Sequence, residues 1–130
     1  MDCLCFLYYF NGYIAGARIV KGTAVYTANF APPLTPPTAI TNTQLLTNFT
    51  NAGIYDSTAK NVLETVGTAQ ISTTQSKYGG SSMYFDGSGD WLFINSSANN
   101  IMSLGTGDFT VETWVNFSNI SNNPCICSGY

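Results

Sequence analysis

The strongest constraint on this chain is the alternation of apolar side chains in two stretches, YGGSSMYFDGSGDWLFI over residues 78–94 and DFTVETWVNF over residues 108–117. Phe109, Val111, Val115 and Phe117 fall on one side of an extended strand, with Thr110, Glu112 and Trp114 on the other. In the earlier stretch Met83 and Phe85 share a face, Tyr84 and Asp86 the opposite one, and Gly87-Ser88-Gly89 supplies a reversal. Trp91, Leu92, Phe93 and Ile94 are apolar on both faces, as befits a sandwiched strand. The expectation is a hairpin followed by a third strand, at the heart of an all-β, antiparallel β-sandwich.

A chain of 130 residues makes one core. Only 8% of the residues are charged while 45% are apolar, so much of the surface must be Ser, Thr, Asn and Gln, which suits a virion or extracellular surface. The net charge is −3 and the four cations do not cluster, which speaks against nucleic-acid binding. The apolar run Cys3–Phe10 is too short to span a bilayer, and Asp2 stands where a signal peptide carries positive charge, so neither membrane insertion nor a targeting segment is expected.

The remaining elements follow from punctuation. Residues 3–9 read as a buried strand that turns at Asn11-Gly12 into a second strand, Tyr13–Val20, with Tyr13, Ala15, Ala17 and Ile19 on one face and Ile14, Gly16, Arg18 and Val20 on the other. Residues 23–30 read as a turn. Residues 31–37, APPLTPP, carry four of the five prolines and define a semi-rigid linker over 31–41. It divides an N-terminal hairpin segment, 1–30, from a longer C-terminal segment, 42–130. There, 44–49 is a strand, 51–60 a loop, 62–66 and 69–73 short edge strands about Gly67, and 99–104 a helical turn.

Two Cys-x-Cys pairs lie near the ends, Cys3 with Cys5 and Cys125 with Cys127, and each pair shows both thiols to one side of a strand. Buried free thiols, disulfides between the terminal strands, and a metal site are the alternatives; the lack of histidine argues against zinc.

The segments SSMYFDGSGDWLFI and DFTVETWVNF, with SKYGG before them, resemble the concanavalin A-like lectin/glucanase superfamily, in particular laminin-G-like jelly-roll domains. GYIAGARIVKGTAVYTANFAPP, residues 12–33, resembles the closing strand and exit of such domains as they occur in bacteriophage tail and virion structural proteins. The resemblance implies that 1–30 is the closing hairpin and exit segment, and 42–130 the opening strands, of a jelly roll that is permuted or incomplete, because the closing motif precedes the opening one and the middle strands are absent. It implies a non-enzymatic structural module of a virion or surface appendage, serving assembly and glycan adhesion. Self-association or contact with other virion subunits follows, with the N-terminal hairpin packed on the chain's own opening strands or completing a neighbour's sheet. A purely structural subunit that polymerises by strand exchange is the alternative, and a glycosidase the remote one.

Candidate sites follow from chemistry. Sugar recognition needs an aromatic platform beside hydrogen-bonding groups, for which Tyr55, Asp56, Tyr84, Trp91 and Asn95 are candidates; Trp91 and Trp114 also suit core packing. Asp86 and Asp90 flank DGSGD and would suit Ca2+, although Asp-Gly is equally turn chemistry. Asp108 and Glu112 share a strand face but lie about 13 Å apart on a regular strand, too far for a glycosidase pair unless a bulge intervenes.

Overall fold

The computed structural model describes residues 9–95, 101, 103–121 and 123–128. Among these residues there are seven strands: β1 (Asn11–Lys21), β2 (Thr43–Thr47), β3 (Val62–Val66), β4 (Gln70–Ser72), β5 (Ser82–Asp86), β6 (Trp91–Asn95) and β7 (Phe109–Asn119). No helix occurs among the described residues. The strand expected over residues 3–9 and most of the helical turn expected over 99–104 lie outside them.

The long strand β1 organises the larger sheet. One edge of β1 pairs with β7 along its whole length, antiparallel, from Asn11 opposite Asn119 to Lys21 opposite Phe109. The other edge is shared: β5 pairs with Asn11–Ile14, β2 with Ala17–Val20. The partners change at Ala15-Gly16, where β1 carries one more residue than β7 and Gly16 adopts φ 92°. This bulge reverses the inside-outside phase. Ile14 and Ile19, five residues apart, therefore both join the core, in place of the strict alternation that the sequence suggests.

Asn11-Gly12 is not a turn. Gly12 lies inside β1, opposite Phe85 and Phe117, and a Cβ there would land on the carbonyl oxygen of Asn116. The glycine admits a close neighbouring backbone rather than a reversal.

The smaller sheet is β3 paired with β6. Here the expected hairpin gives way to a different connection: β5 pairs with β1 and β4, β6 with β3, and DGSGD carries the chain from one sheet to the other. The turn about Gly67 does the same between β3 and β4. The two sheets pack face to face. Met83 and Phe85 from β5, Ile14 from β1, Phe10, Phe49 and Ala69 form one core cluster, with Leu92 and Val115 against it. Ile19, Leu45 and Ile101 form a second, closed by Leu63 and Ile94 of the smaller sheet. Each large apolar side chain of this kind contributes about 1.5–3 kcal/mol when fully buried.

Among the described residues the covering layer is two strands wide, and part of β7 is exposed. On the core-facing side of β7, Phe109, Val111 and Phe117 are 49%, 37% and 38% exposed. No strand among the described residues pairs with the outer edge of β7.

Candidate functional site

The outer face of the larger sheet carries the most developed polar constellation. Arg18 and Glu112 stand directly opposite each other on β1 and β7, and their side chains form a buried ion pair between Nε and Oε1. The second carboxylate oxygen accepts a 2.5 Å hydrogen bond from the Tyr26 hydroxyl, and Arg18 Nη1 donates to the Thr38 carbonyl at 2.7 Å. The Tyr26 phenol is raised above its ordinary 10.0 by this bond to Glu112, by burial and by the carboxylate's charge, against the opposing influence of Arg18.

Tyr26 and Thr38 belong to the connection between β1 and β2, which crosses this face as a strap. Gly22 N–H donates to the Asp108 carbonyl at 2.6 Å, and Val25 N–H to Thr110 Oγ1 at 2.9 Å. Tyr26 then stacks on Phe30 at 3.8 Å. The Tyr78 hydroxyl holds the proline-rich part by donating to the Pro33 carbonyl at 2.7 Å, and Tyr78 meets Trp114 edge-on. Lys77 Nζ sits 4.1 Å from the centre of the Trp114 ring, within cation–π range. Residues 31–41 thus connect two strands that pair with each other. Between strap and sheet lies an open cavity of about 380 Å³, walled by Phe30, Pro33, Pro37 and Trp114 over Arg18 and Glu112.

Glu112 is engaged on both oxygens, and Asp108, at the entrance to β7, offers its carbonyl to the strap. The structure does not bring the two into a facing pair of carboxylates.

The sugar-site candidates do not converge. Tyr84 projects from the outer face of the larger sheet, where it packs on Tyr13 at 5.0 Å, because its neighbours Met83 and Phe85 are in the core. Trp91 projects from the outer face of the smaller sheet, the opposite side of the molecule, since adjacent Leu92 points into the core. Tyr55 is exposed in the loop after β2, and Asn95 ends β6 opposite Val62. Around Trp91, 45% exposed, lie Phe93 at 42% and Tyr9, whose ring stacks on the indole at 6.4 Å.

Asp56, next to Tyr55, is buried and serves its own loop. It accepts from Leu46 N–H, Thr58 N–H and Oγ1, and Asn61 N–H and Nδ2. Burial alone would raise its pKa, but the bonds from Thr58, Leu46 and Asn61 outweigh burial and hold the carboxyl below the usual 3.8. A lowered folded pKa means that the ionised form is favoured by folding, so its contribution is complete above the ordinary carboxylate range and disappears as pH falls through the depressed value. The stability gap between the wild type and Asp56→Asn should therefore be constant near neutrality and shrink below about pH 4. Urea titrations across that range check it; a gap unchanged under acid would contradict the account.

Asp86 and Asp90 join the two connections between the sheets. Buried Asp90 accepts from Thr68 N–H at 2.6 Å and from Asp86 N–H at 2.9 Å, and Thr68 Oγ1 reaches both carboxylates. Asp86 Oδ1 also accepts from Ser88 N–H, while its carbonyl accepts from Asn11 Nδ2. The two acids thus stand together, with donors from the protein on both. No group of three or more potential metal ligands occurs among the described residues. Of the cysteines, Cys125 is disulfide-bonded and Cys127 is exposed; Cys3 and Cys5 lie outside the described residues.

Sequence reasoning passed over the partnership of Arg18, Glu112 and Tyr26. The available signal was a cation flanked by apolar residues in β1 and the one anion of β7.

No protein family, curated protein or solved structure matches the chain. Fold and site together define an all-β, sandwich-like protein whose described residues form two antiparallel sheets, the larger strapped across its outer face.

Proposed function

We infer that the chain is a non-enzymatic structural module with a jelly-roll, lectin-like fold that assembles into a virion or cell-surface appendage. The observation that carries this reading is the exposed side of β7: three large apolar side chains, and a sheet edge with which no strand among the described residues pairs. An edge strand of this length ordinarily carries lysine, proline or a bulge that discourages pairing. From 109 to 117, β7 has none of these, and its one charge, Glu112, is neutralised by Arg18. The engagement of Glu112 on both oxygens favours a structural role over hydrolysis.

Sedimentation of the full chain over a range of concentrations tests the reading. The wild type should self-associate, and Val111→Lys, which places a charge in the exposed stripe, should return it to the monomer. Equal association of variant and wild type would rule out this edge as the assembly surface.

Glycan adhesion is a second reading, favoured by the exposed cluster of Trp91, Phe93 and Tyr9. An indole offers the flat apolar surface on which a pyranose ring stacks. Under this reading a glycan array should give a signal with the wild type that Trp91→Ala removes, while retention of the signal would place recognition elsewhere.

A further inference from the structure

We propose that the partner of the β7 edge with which no described strand pairs is a second copy of the same strand, paired antiparallel about a two-fold axis through Thr113. The proposal rests on the assembly reading above and specifies its partner and register.

A two-fold interface requires a surface complementary to itself. The core-facing residues of β7 read Phe109, Val111, Thr113, Val115, Phe117, the same sequence in either direction. With Thr113 opposite its own counterpart, each Phe109 faces Phe117 of the other copy, and each Val111 faces Val115. Aromatic and β-branched pairs of this kind are those that stabilise neighbouring strands. Any shift of register breaks the matching; a two-residue slip, for example, sets Thr113 against a valine and leaves a phenylalanine at each end without its counterpart.

The backbone suits this arrangement. The extra residue near the middle of the β1–β7 ladder lies on β1, at Ala15-Gly16, and the other irregularity falls beyond Phe117, between Asn11 and Gly12 of β1. Residues 109–117 therefore run without interruption, and the regular segment coincides with the palindrome. On the other face, Thr110 would meet Asn116, and Glu112 would meet Trp114, so no like charges stand directly opposite. Pairing would join two five-stranded sheets into one continuous sheet of ten strands.

Disulfide trapping tests the register, with the bonded residues mapped by peptide mass so that native cysteines are distinguished. Residues directly opposite in antiparallel strands have Cα atoms about 4.5–5.5 Å apart, within disulfide reach. In the proposed register Thr113→Cys should cross-link to itself at least about ten-fold faster than Val111→Cys, whose counterpart lies about 13 Å away along the strand, beyond bridging distance. Because Thr113 Oγ1 donates to the Gly16 carbonyl at 2.7 Å, its replacement could disturb β1. An equimolar mixture of Val111→Cys and Val115→Cys chains supplies an independent measurement and should give the 111–115 bond in preference to either self-bond. Association that Val111→Lys abolishes, with no preference for the 113–113 and 111–115 bonds, would overturn the two-fold register and leave the assembly reading standing. A chain that stays monomeric at every concentration and forms none of these bonds would overturn both.

Discussion

Replacement of Glu112 by alanine is expected to lower folding stability by about 3–5 kcal/mol, the range for removing one partner of a buried ion pair. The cost arises from what remains rather than from the attraction lost. Arg18 is buried in the middle of the sheet, and among the described residues its remaining hydrogen bond runs to the Thr38 carbonyl, so the variant would retain a guanidinium with neither counter-charge nor full hydration. Tyr26 would also lose its acceptor, loosening the strap where it begins to cross the sheet. Such a loss is a large share of the roughly 5–15 kcal/mol that holds a domain folded. Denaturant titration of Glu112→Ala measures it, and the double variant Arg18→Met/Glu112→Leu identifies the cause: removing both charges should restore most of the stability. A double variant as unstable as the single one would show that packing, not an uncompensated charge, dominates.

The second large effect is expected from a single methyl group. Gly67 has φ 76°, and a Cβ there would land on Asp90 Oδ1 and within 2.7 Å of the Gly89 carbonyl oxygen. Gly67→Ala therefore imposes a left-handed conformation on a residue with a side chain, at about 1–2 kcal/mol. It also displaces the buried carboxylate that accepts from the backbone of Thr68 and Asp86, where each stranded donor costs about 1–3 kcal/mol. The sum is about 3 kcal/mol or more, enough to lower the melting temperature by about 10 °C in a domain of this size. Gly89→Ala is the matched control: its φ is 74°, but an added Cβ would meet nothing within 4 Å, so only the conformational cost applies. Equal losses in the two variants would remove steric contact with Asp90 from the explanation.

Local pattern revealed the strands well, whereas their partners were hidden. Alternation located β5, β6 and β7, and punctuation by glycine and asparagine bounded β2, β3 and β4 to within a residue or two. All these signals act over a few residues. DGSGD has the chemistry of a tight turn whether the chain returns along the same sheet or crosses to the other. The deciding contact is Asp90 with Thr68, 22 residues away, which no local pattern contains. Gly12 misled for a related reason: its purpose is set by Asn116, brought close only by the folded β7. The phase of β1 was misread because a bulge depends on having a partner strand to be measured against. Among candidate site residues, Asp56 was selected for its polarity beside an exposed Tyr55, yet its oxygens are taken by groups between Leu46 and Asn61. Trp91 was identified as an aromatic of interest, and its exposed face beside Phe93 became visible only once Leu92 was seen to point inward.

The position of β1 also has a consequence for the order of events during synthesis. The strand at the centre of the larger sheet is translated before every strand that pairs with it, and β7, which covers one whole edge, follows 88 residues behind Lys21 at Phe109. At the ribosome's pace of about 5–20 residues per second, β1 waits roughly 5–20 s for that partner. Throughout that interval an eleven-residue strand has one edge without its native neighbour. Ladders closed over such sequence distances belong to slowly folding topologies. The nascent chain is therefore most exposed to mispairing at the very strand that later becomes the best protected, and completion of the sheet coincides with the arrival of β7.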